Sequence, residues 1–223
     1  MFDMSYHFED AKRRLIELLK GKGITDSNVL KAFEKVDRHL FIESYLWNEA
    51  YLDKALPILY GQTISQPYTV AFQSQLLGIK KGDRVLEIGT GSGFQAAILS
   101  ALGARVFSIE RNLELHRATK IKLDVIDYKI YLHYGDGFRG WPDHAPYDKI
   151  IVTCGAPDIP TALLKQLKVS GCMVIPVGEG AQEMKKITKL EEDNYKIEEF
   201  GEFRFVPMLE NVTTSANING ETC

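Results

Sequence analysis

Cysteine is scarce in this chain and what there is stands apart, at Cys154, Cys172 and Cys223. Odd in number, and without CxxC or Cys/His ligand spacing, these three exclude a zinc site or a disulfide framework and fit a reducing cytoplasm. No metal is expected. Long apolar runs are missing too, since none approaches the roughly 20 residues of a membrane span. The opening "MFDMSYHFEDAKRR" has no basic segment followed by an apolar stretch, so nothing suggests secretion. Positive charge is thin: 27 basic side chains against 30 acidic leave a net charge of −3, with only short, scattered doublets such as Arg13 and Arg14 or Lys185 and Lys186. Phosphate binding needs a dense positive face, so neither nucleic acid nor a membrane is an expected partner. No heptad or unpartnered apolar helix is evident, and a monomer is expected. No internal repeat is visible.

What is present is ordinary for a globular domain: 223 residues, 45% hydrophobic and 26% charged, enough for one well-buried α/β unit. Residues 8–20 place Leu15, Ile16, Leu18 and Leu19 near one face and stop at Gly21 and Gly23, which predicts an amphipathic helix. Thr25 and Ser27 are positioned to cap a second helix carrying Val29, Ala32, Phe33 and Val36. An aromatic-rich segment, 41–60, leads to the polar stretch "GQTISQPYTVA" (61–71), and "TVAFQSQLLGI" reads as a helix closing at Gly78. From Lys80 the texture changes. Apolar runs at 84–89, 105–110, 129–134, 149–154 and 172–178 alternate with helical patterns at 93–102, 112–126 and 159–167. Such runs predict a mostly parallel sheet covered by helices on both faces. "MKKITKLEE" and "YKIEEFGEFRFV", joined by Asp193 and Asn194, predict a closing antiparallel hairpin of open strand order. The division expected is an N-terminal helical cover segment (1–79) packed on the same domain, an α/β core (80–212) and a loose tail (213–223).

"EIGTGSG" puts Glu87 at a strand end and Gly89, Gly91 and Gly93 before a helix. Glycines there permit a tight turn and close backbone approach of a ligand. A triphosphate loop needs a lysine after the last glycine, and none follows. A dinucleotide fingerprint needs its third glycine one position later, where Phe94 stands, so NAD is ill-matched. A tight turn with no ligand is a further reading. S-adenosylmethionine fits better. Glu110, ending the second strand, can accept both ribose hydroxyls; Asp136, in "YGDG" with Gly137 beside it, can accept from the adenine amino group. Glu87 adds negative charge for the ammonium and sulfonium. Three acids at three successive strand C-termini lie at the edge where open α/β sheets bind ligands.

With these segments in view the chain resembles the protein-L-isoaspartate O-methyltransferase family. The matching segments include "VDRHLFI" (36–42), "GQTISQPYTVA" (61–71), "VLEIGTGSGFQAAILS" (85–100), "SIER" (108–111), "GDGFRGWPDHAPYDKIIVTCGAP" (135–157) and "RFVPM" (204–208). The resemblance implies a Rossmann-like, S-adenosylmethionine-dependent methyltransferase. Its implied substrates are the free α-carboxylates of L-isoaspartyl residues in damaged peptides and proteins, with return to aspartate through a succinimide. It implies Ser65 as the active-site residue, Ile64 packed on the cofactor, and Thr90, Ser92 and Arg111 among the cofactor contacts. It also implies that Val206, Pro207, Met208 and Leu209 wall the substrate. Departures from the family pattern are Ile42 and Glu43, Cys154 and Gly155, and a short loop at 178–182; they bear on substrate preference rather than reaction type.

A carboxylate is already nucleophilic at neutral pH, so Ser65 is assigned to positioning it by a hydrogen bond, not to attack. His39, His133 and His144 are read as structural, with His39 ordering the N-terminal segment. Cys154 is read as a small packing side chain, Trp47 as core, and Trp141 as packing that could wall the cofactor region. The competing functions are a methyltransferase for a small molecule or RNA, a cofactor-binding sensor without catalysis, and an NAD-dependent oxidoreductase.

Overall fold

The computed structural model describes residues 4–213, with side chains from Phe8 onward. Helix α1, Met4–Gly21, buries Phe8, Leu15, Ile16 and Leu19, whereas Leu18 turns outward and is 42% exposed. Gly23 then takes a positive φ of 95°, closing the helix. Helix α2, Ser27–Lys35, is capped by Asp26 rather than by Thr25 or Ser27: the Asp26 carboxylate accepts from the amides of Asn28 and Val29. Thr25 is engaged elsewhere, donating its N–H to Gln75 Oε1 at 2.7 Å. The aromatic-rich segment forms 3-10 turns over Arg38–Phe41, Ser44–Glu49 and Leu59–Gly61, and a small antiparallel ribbon of β1 (Leu56–Pro57) and β2 (Thr63–Ile64). Helix α3, Pro67–Leu77, starts with proline in its first turn and ends at Gly78 in the left-handed region, as expected.

The sheet has seven strands: β3 Arg84–Ile88, β4 Arg105–Glu110, β5 Tyr131–Tyr134, β6 Tyr147–Val152, β7 Leu167–Val177, β8 Gln182–Glu191 and β9 Asn194–Phe203. Their order is β5-β4-β3-β6-β7-β8-β9. The first five are parallel, and the antiparallel hairpin of β8 and β9 extends the β7 edge in sequence order. Glu191 pairs with Asn194, so Glu192 and Asp193 form the turn, with Asp193 at φ 58°. Helices α4 (Phe94–Ala101), α5 (Leu113–Val125) and α6 (Thr161–Gln166) make three of the four crossovers, and the 3-10 turns Gly137–Arg139 and Pro142–His144 make the one from β5 to β6. Two chain directions diverge from β3, toward β4 on one side and β6 on the other. That reversal opens a crevice at the carboxyl ends of these strands.

One hydrophobic cluster joins the N-terminal segment to the core: Leu19, Phe33, Phe41 and Ile64 pack with Phe94, Ile98 and Leu123. Arg38, 1% exposed, sits inside it. Residue 213, where the tail is expected to begin, is pinned to the core: the Thr213 amide donates to the Arg111 carbonyl, and the Leu113 amide donates to the Thr213 carbonyl. The rest of the expected tail, with Cys223, lies outside the described residues. Among the described residues no helix is long and apolar enough to cross a membrane.

Candidate active site

The crevice encloses about 800 Å³, its open mouth included. Its floor is the turn after β3. Gly89, at φ 96°, comes so close to β6 that a Cβ would stand 2.6 Å from Thr153 Oγ1; that hydroxyl donates to the Ile88 and Gly89 carbonyls. Gly91, at φ 53°, donates its N–H to Glu110 Oε2 at 3.0 Å. At Gly89 the positive φ and the close approach of Thr153 together require glycine, and this lets the turn close against the end of β6.

Glu110, 6% exposed, ends β4 at the cleft wall; its other oxygen accepts the Asn112 N–H at 2.9 Å. Burial raises its carboxyl pKa, while these backbone donors and the Arg111 charge oppose the rise. Arg111 also lines the cleft, but its guanidinium donates to the Glu210 and Asn211 carbonyls and clasps the C-terminal strap, the segment 204–213 that follows β9. Thr90, Ser92, Ile64 and Ser65 line the same space, as do Gly137, Val206, Pro207, Met208 and Leu209. At Gly137 a Cβ would meet Ile88 Cγ2 at 2.4 Å. The strap is held across β6 by backbone: the Gly155 N–H donates to Val206 O at 2.8 Å, and the Met208 N–H to Gly155 O at 2.7 Å.

Three of the expected cofactor residues stand back from the cleft. Glu87 is fully buried beneath the floor, where Ser108 donates to its Oε2 and the Ser108 and Thr90 hydroxyls lie 2.7 Å apart; Oε1 has no partner among the described residues. Burial pushes its pKa up to about 8, so at neutral pH it is mostly protonated and contributes little negative charge to a ligand. Gly93 caps α4 and faces α5, where a Cβ would lie 3.0 Å from Thr119 Cγ2. The Asp136 carboxylate accepts from the Phe138 N–H at 2.9 Å and the Asn211 N–H at 3.1 Å, capping a 3-10 turn and tying down the strap.

Sequence reasoning left out Gln62, Thr63, Val70, Phe94, Gln95, Thr153 and Cys154, all of which line the cleft. Thr153 and Cys154 follow the C-terminus of β6, so the strand-end rule that selected Glu110 had the signal for them. Gln95 is buried and donates to Ser74 Oγ, and its Oε1 has no partner among the described residues. Burial, with Glu110 nearby, pushes the Cys154 thiol up to about 12, which keeps it protonated and unreactive. None of the three histidines lines the cleft. His39 stacks on Phe8 at 4.1 Å and shares a 2.8 Å hydrogen bond with the Tyr51 hydroxyl, while His133 stacks on Trp141 at 4.6 Å. Trp141 packs in the core and does not wall the cleft.

The polar stretch becomes the cleft's lid. Ser65 lies between β2 and α3, and its hydroxyl makes no hydrogen bond to another described residue. Its backbone is fixed from both sides. Arg38 donates to the Ser65 carbonyl at 3.1 Å, and Asp53 accepts from the Tyr68 N–H at 2.8 Å and from Gln66 Nε2 at 3.1 Å. Asp53 thereby caps α3 from a distance, where Gln66 makes no side-chain cap of its own.

The chain is similar in sequence and fold to known proteins. A family model for protein-L-isoaspartate(D-aspartate) O-methyltransferase matches residues 10–213. The protein-L-isoaspartate O-methyltransferase of Christiangramia forsetii is 53% identical over 208 residues, 93% of this chain and 98% of that one. A solved protein-L-isoaspartate O-methyltransferase superposes with a TM-score of 0.83 at 29% identity, over 90% of this chain and 67% of its own. A putative protein-L-isoaspartate O-methyltransferase from Plasmodium falciparum, solved in complex with S-adenosyl-L-homocysteine, has the same fold; its TM-score is 0.78 at 23% identity, over 89% of this chain and 98% of its own. With the match running unbroken from α1 through the strap, the chain belongs to the protein-L-isoaspartate(D-aspartate) O-methyltransferase family.

Proposed function

We propose that this protein is a repair enzyme that methylates the free α-carboxylate of L-isoaspartyl residues in damaged peptides and proteins, with S-adenosylmethionine as methyl donor. The observation that carries the reading is the placement of Ser65 on a lid facing Glu110 and the glycine turn across one cleft, within a chain of this family. The cleft suits an adenosyl ligand. Glu110 accepts from the Gly91 and Asn112 N–H groups, with the Arg111 backbone also bonding to it, and a carboxylate has about four acceptor sites, which leaves capacity toward a ribose diol. Gly91, with no atom within 4 Å of a would-be Cβ, leaves the turn open, and Gln95 Oε1 is an unpaired acceptor. Ile64, Val70 and Phe94 supply apolar walls.

S-adenosylmethionine supplies an electrophilic methyl group on a sulfonium. The isoaspartyl carboxylate, with an unperturbed pKa of about 4, needs no general base. One of its oxygens forms the new C–O bond as the methyl–sulfur bond breaks and its electron pair remains on sulfur, and no proton is transferred. The chain's task is alignment and exclusion of water, for which orientation alone can contribute roughly 7–11 kcal/mol. In this reading Ser65 donates a hydrogen bond to the carboxylate, and the strap from Val206 to Leu209 walls the substrate. Without the enzyme, the neighbouring backbone amide nitrogen then attacks the ester carbonyl and displaces methanol to close a succinimide, which water opens in part to aspartate. A monomer in a reducing compartment completes the reading.

The test is transfer of a radiolabelled methyl group to two otherwise identical peptides, one with isoaspartate and one with aspartate. Base-labile label on the isoaspartyl peptide alone is expected. Label on neither, with the cofactor bound, would make the protein a sensor module instead.

A further inference from the structure

A second groove begins where the cleft ends. Two chain segments border both spaces: Ser65 lines the cleft and Gln66 the groove, and Val206 lines the cleft while Arg204 lines the groove. The groove runs between the start of α3 and the end of β9. Its floor is aromatic. Phe72 stacks on Phe203 at 5.3 Å, with Phe200 at 6.5 Å and Tyr68 at 5.7 Å.

This floor depends on an irregularity in β9. Side chains three apart in a regular strand point to opposite faces, so Phe200 and Phe203 would separate. Glu183 pairs with Glu202 and Lys185 with Glu199, which leaves Phe200 and Gly201 opposite the single residue Met184. Gly201 takes a φ of 83° in this bulge, and its N–H turns to Glu183 Oε1. The bulge brings both phenylalanines onto Phe72. The rings of Phe72, Phe200 and Phe203 are partly buried: one side packs against the core cluster of Leu77, Val174 and Met184, and the other borders the groove beside the active-site lid.

We propose that this groove holds an aromatic or bulky aliphatic side chain of the substrate polypeptide, close in sequence to the isoaspartyl residue, and so sets a flanking-residue preference. The inference rests on the methyltransferase reading above. An isoaspartyl carboxylate at Ser65 leaves its chain to exit past Gln66 or Arg204, and the groove is the continuation of the cleft on that side. The preference is for ring or aliphatic surface against the faces of Phe203 and Phe72.

The experiment compares isoaspartyl hexapeptides with alanine at every flanking position against peptides carrying one phenylalanine, moved through the two positions on either side. For the wild type, phenylalanine at one of these positions raises kcat/KM about tenfold, mainly through KM, as expected for burial of one large side chain. Phe203→Ala brings that ratio close to one, and Phe203→Leu leaves an intermediate ratio. Binding of S-adenosylhomocysteine serves as the control for folding. If Phe203→Ala loses it, Phe203→Leu carries the comparison. A wild-type ratio near one at all four positions overturns the proposal, as does a ratio unchanged in the variants. If the wild type methylates no isoaspartyl peptide at all, the methyltransferase reading itself fails and this proposal with it.

Discussion

The Arg38 guanidinium donates a hydrogen bond of 3.1 Å to the carbonyl of Ser65. The same group reaches the Ala50 carbonyl at 2.5 Å and the Lys54 carbonyl at 3.0 Å, and its charge lies 5.8 Å from the centre of the Phe94 ring. Burial lowers its pKa to about 10, so it stays charged at neutral pH. One buried cation therefore fastens the lid at Ser65 to the backbone of the preceding segment at Ala50 and Lys54. Arg38→Met leaves three carbonyls without a donor, each costing about 1–3 kcal/mol where it remains dry. Chemical denaturation should show a loss of several kcal/mol, and turnover on an isoaspartyl peptide should fall in the surviving folded fraction. Arg38→Lys recovers only part of both, since one ammonium cannot span the three acceptors. Unchanged stability and turnover in Arg38→Met would remove Arg38 from this role.

Ser65→Ala tests the positioning assignment directly. Losing one hydrogen bond to a charged carboxylate is worth about 1.5–3 kcal/mol, or roughly 10- to 100-fold in kcat/KM. Affinity for S-adenosylhomocysteine, measured by calorimetry, should stay within about twofold. A variant as fast as the wild type would show that the carboxylate is held by backbone alone.

Gly137→Ala should damage the cleft without touching a polar contact. The added methyl would meet Ile88 Cγ2 at 2.4 Å and Met208 Cε at 3.2 Å. Overpacking of this kind costs about 1–3 kcal/mol. Thermal melts are expected to shift down and S-adenosylhomocysteine affinity to weaken, because Ile88 and Met208 both line the cleft. A neutral variant would mean that the strap is free to move outward.

Glu87 should leave a signature in the pH dependence of stability. Its pKa rises from an ordinary value of 4.5 to about 8 in the folded protein. Between these values the folded state keeps a proton that the unfolded state releases, so Glu87's contribution to stability falls as pH rises through that window. Glu87→Gln removes the titration. Its stability measured by urea unfolding from pH 5 to 8 should decline less steeply than the wild type's, with the variant gaining relative ground at pH 8. Parallel curves would show that Glu87 is ionised in the fold.

Much of the architecture was legible locally. Apolar runs marked the parallel strands because both faces of that sheet are buried, and glycine marked the turns because Gly78, Gly89 and Gly91 take positive φ angles that glycine adopts at least cost. Motifs around Ser65, Glu110 and the strap identified the family and the cleft-lining segments. Neighbouring positions of similar chemistry were not separable: Asp26, rather than Thr25 or Ser27, caps α2. At a strand end, sequence gives the edge of the sheet but not the direction of a side chain. Glu87 pairs in register with Ser108 and lies under the floor, while Glu110 reaches the cleft wall, a difference made by strand pairing. Asp136 and Arg111 turn to residues 210 and 211, about 75 to 100 positions away in the chain, and Arg38 turns to Ser65 across 27. Sequence by itself determined the elements, their punctuation and the chemistry available at one edge. Only the tertiary structure decided which of those groups face the cleft and which hold it together, because a polar side chain bonds to whatever long-range packing places within about 3 Å of it.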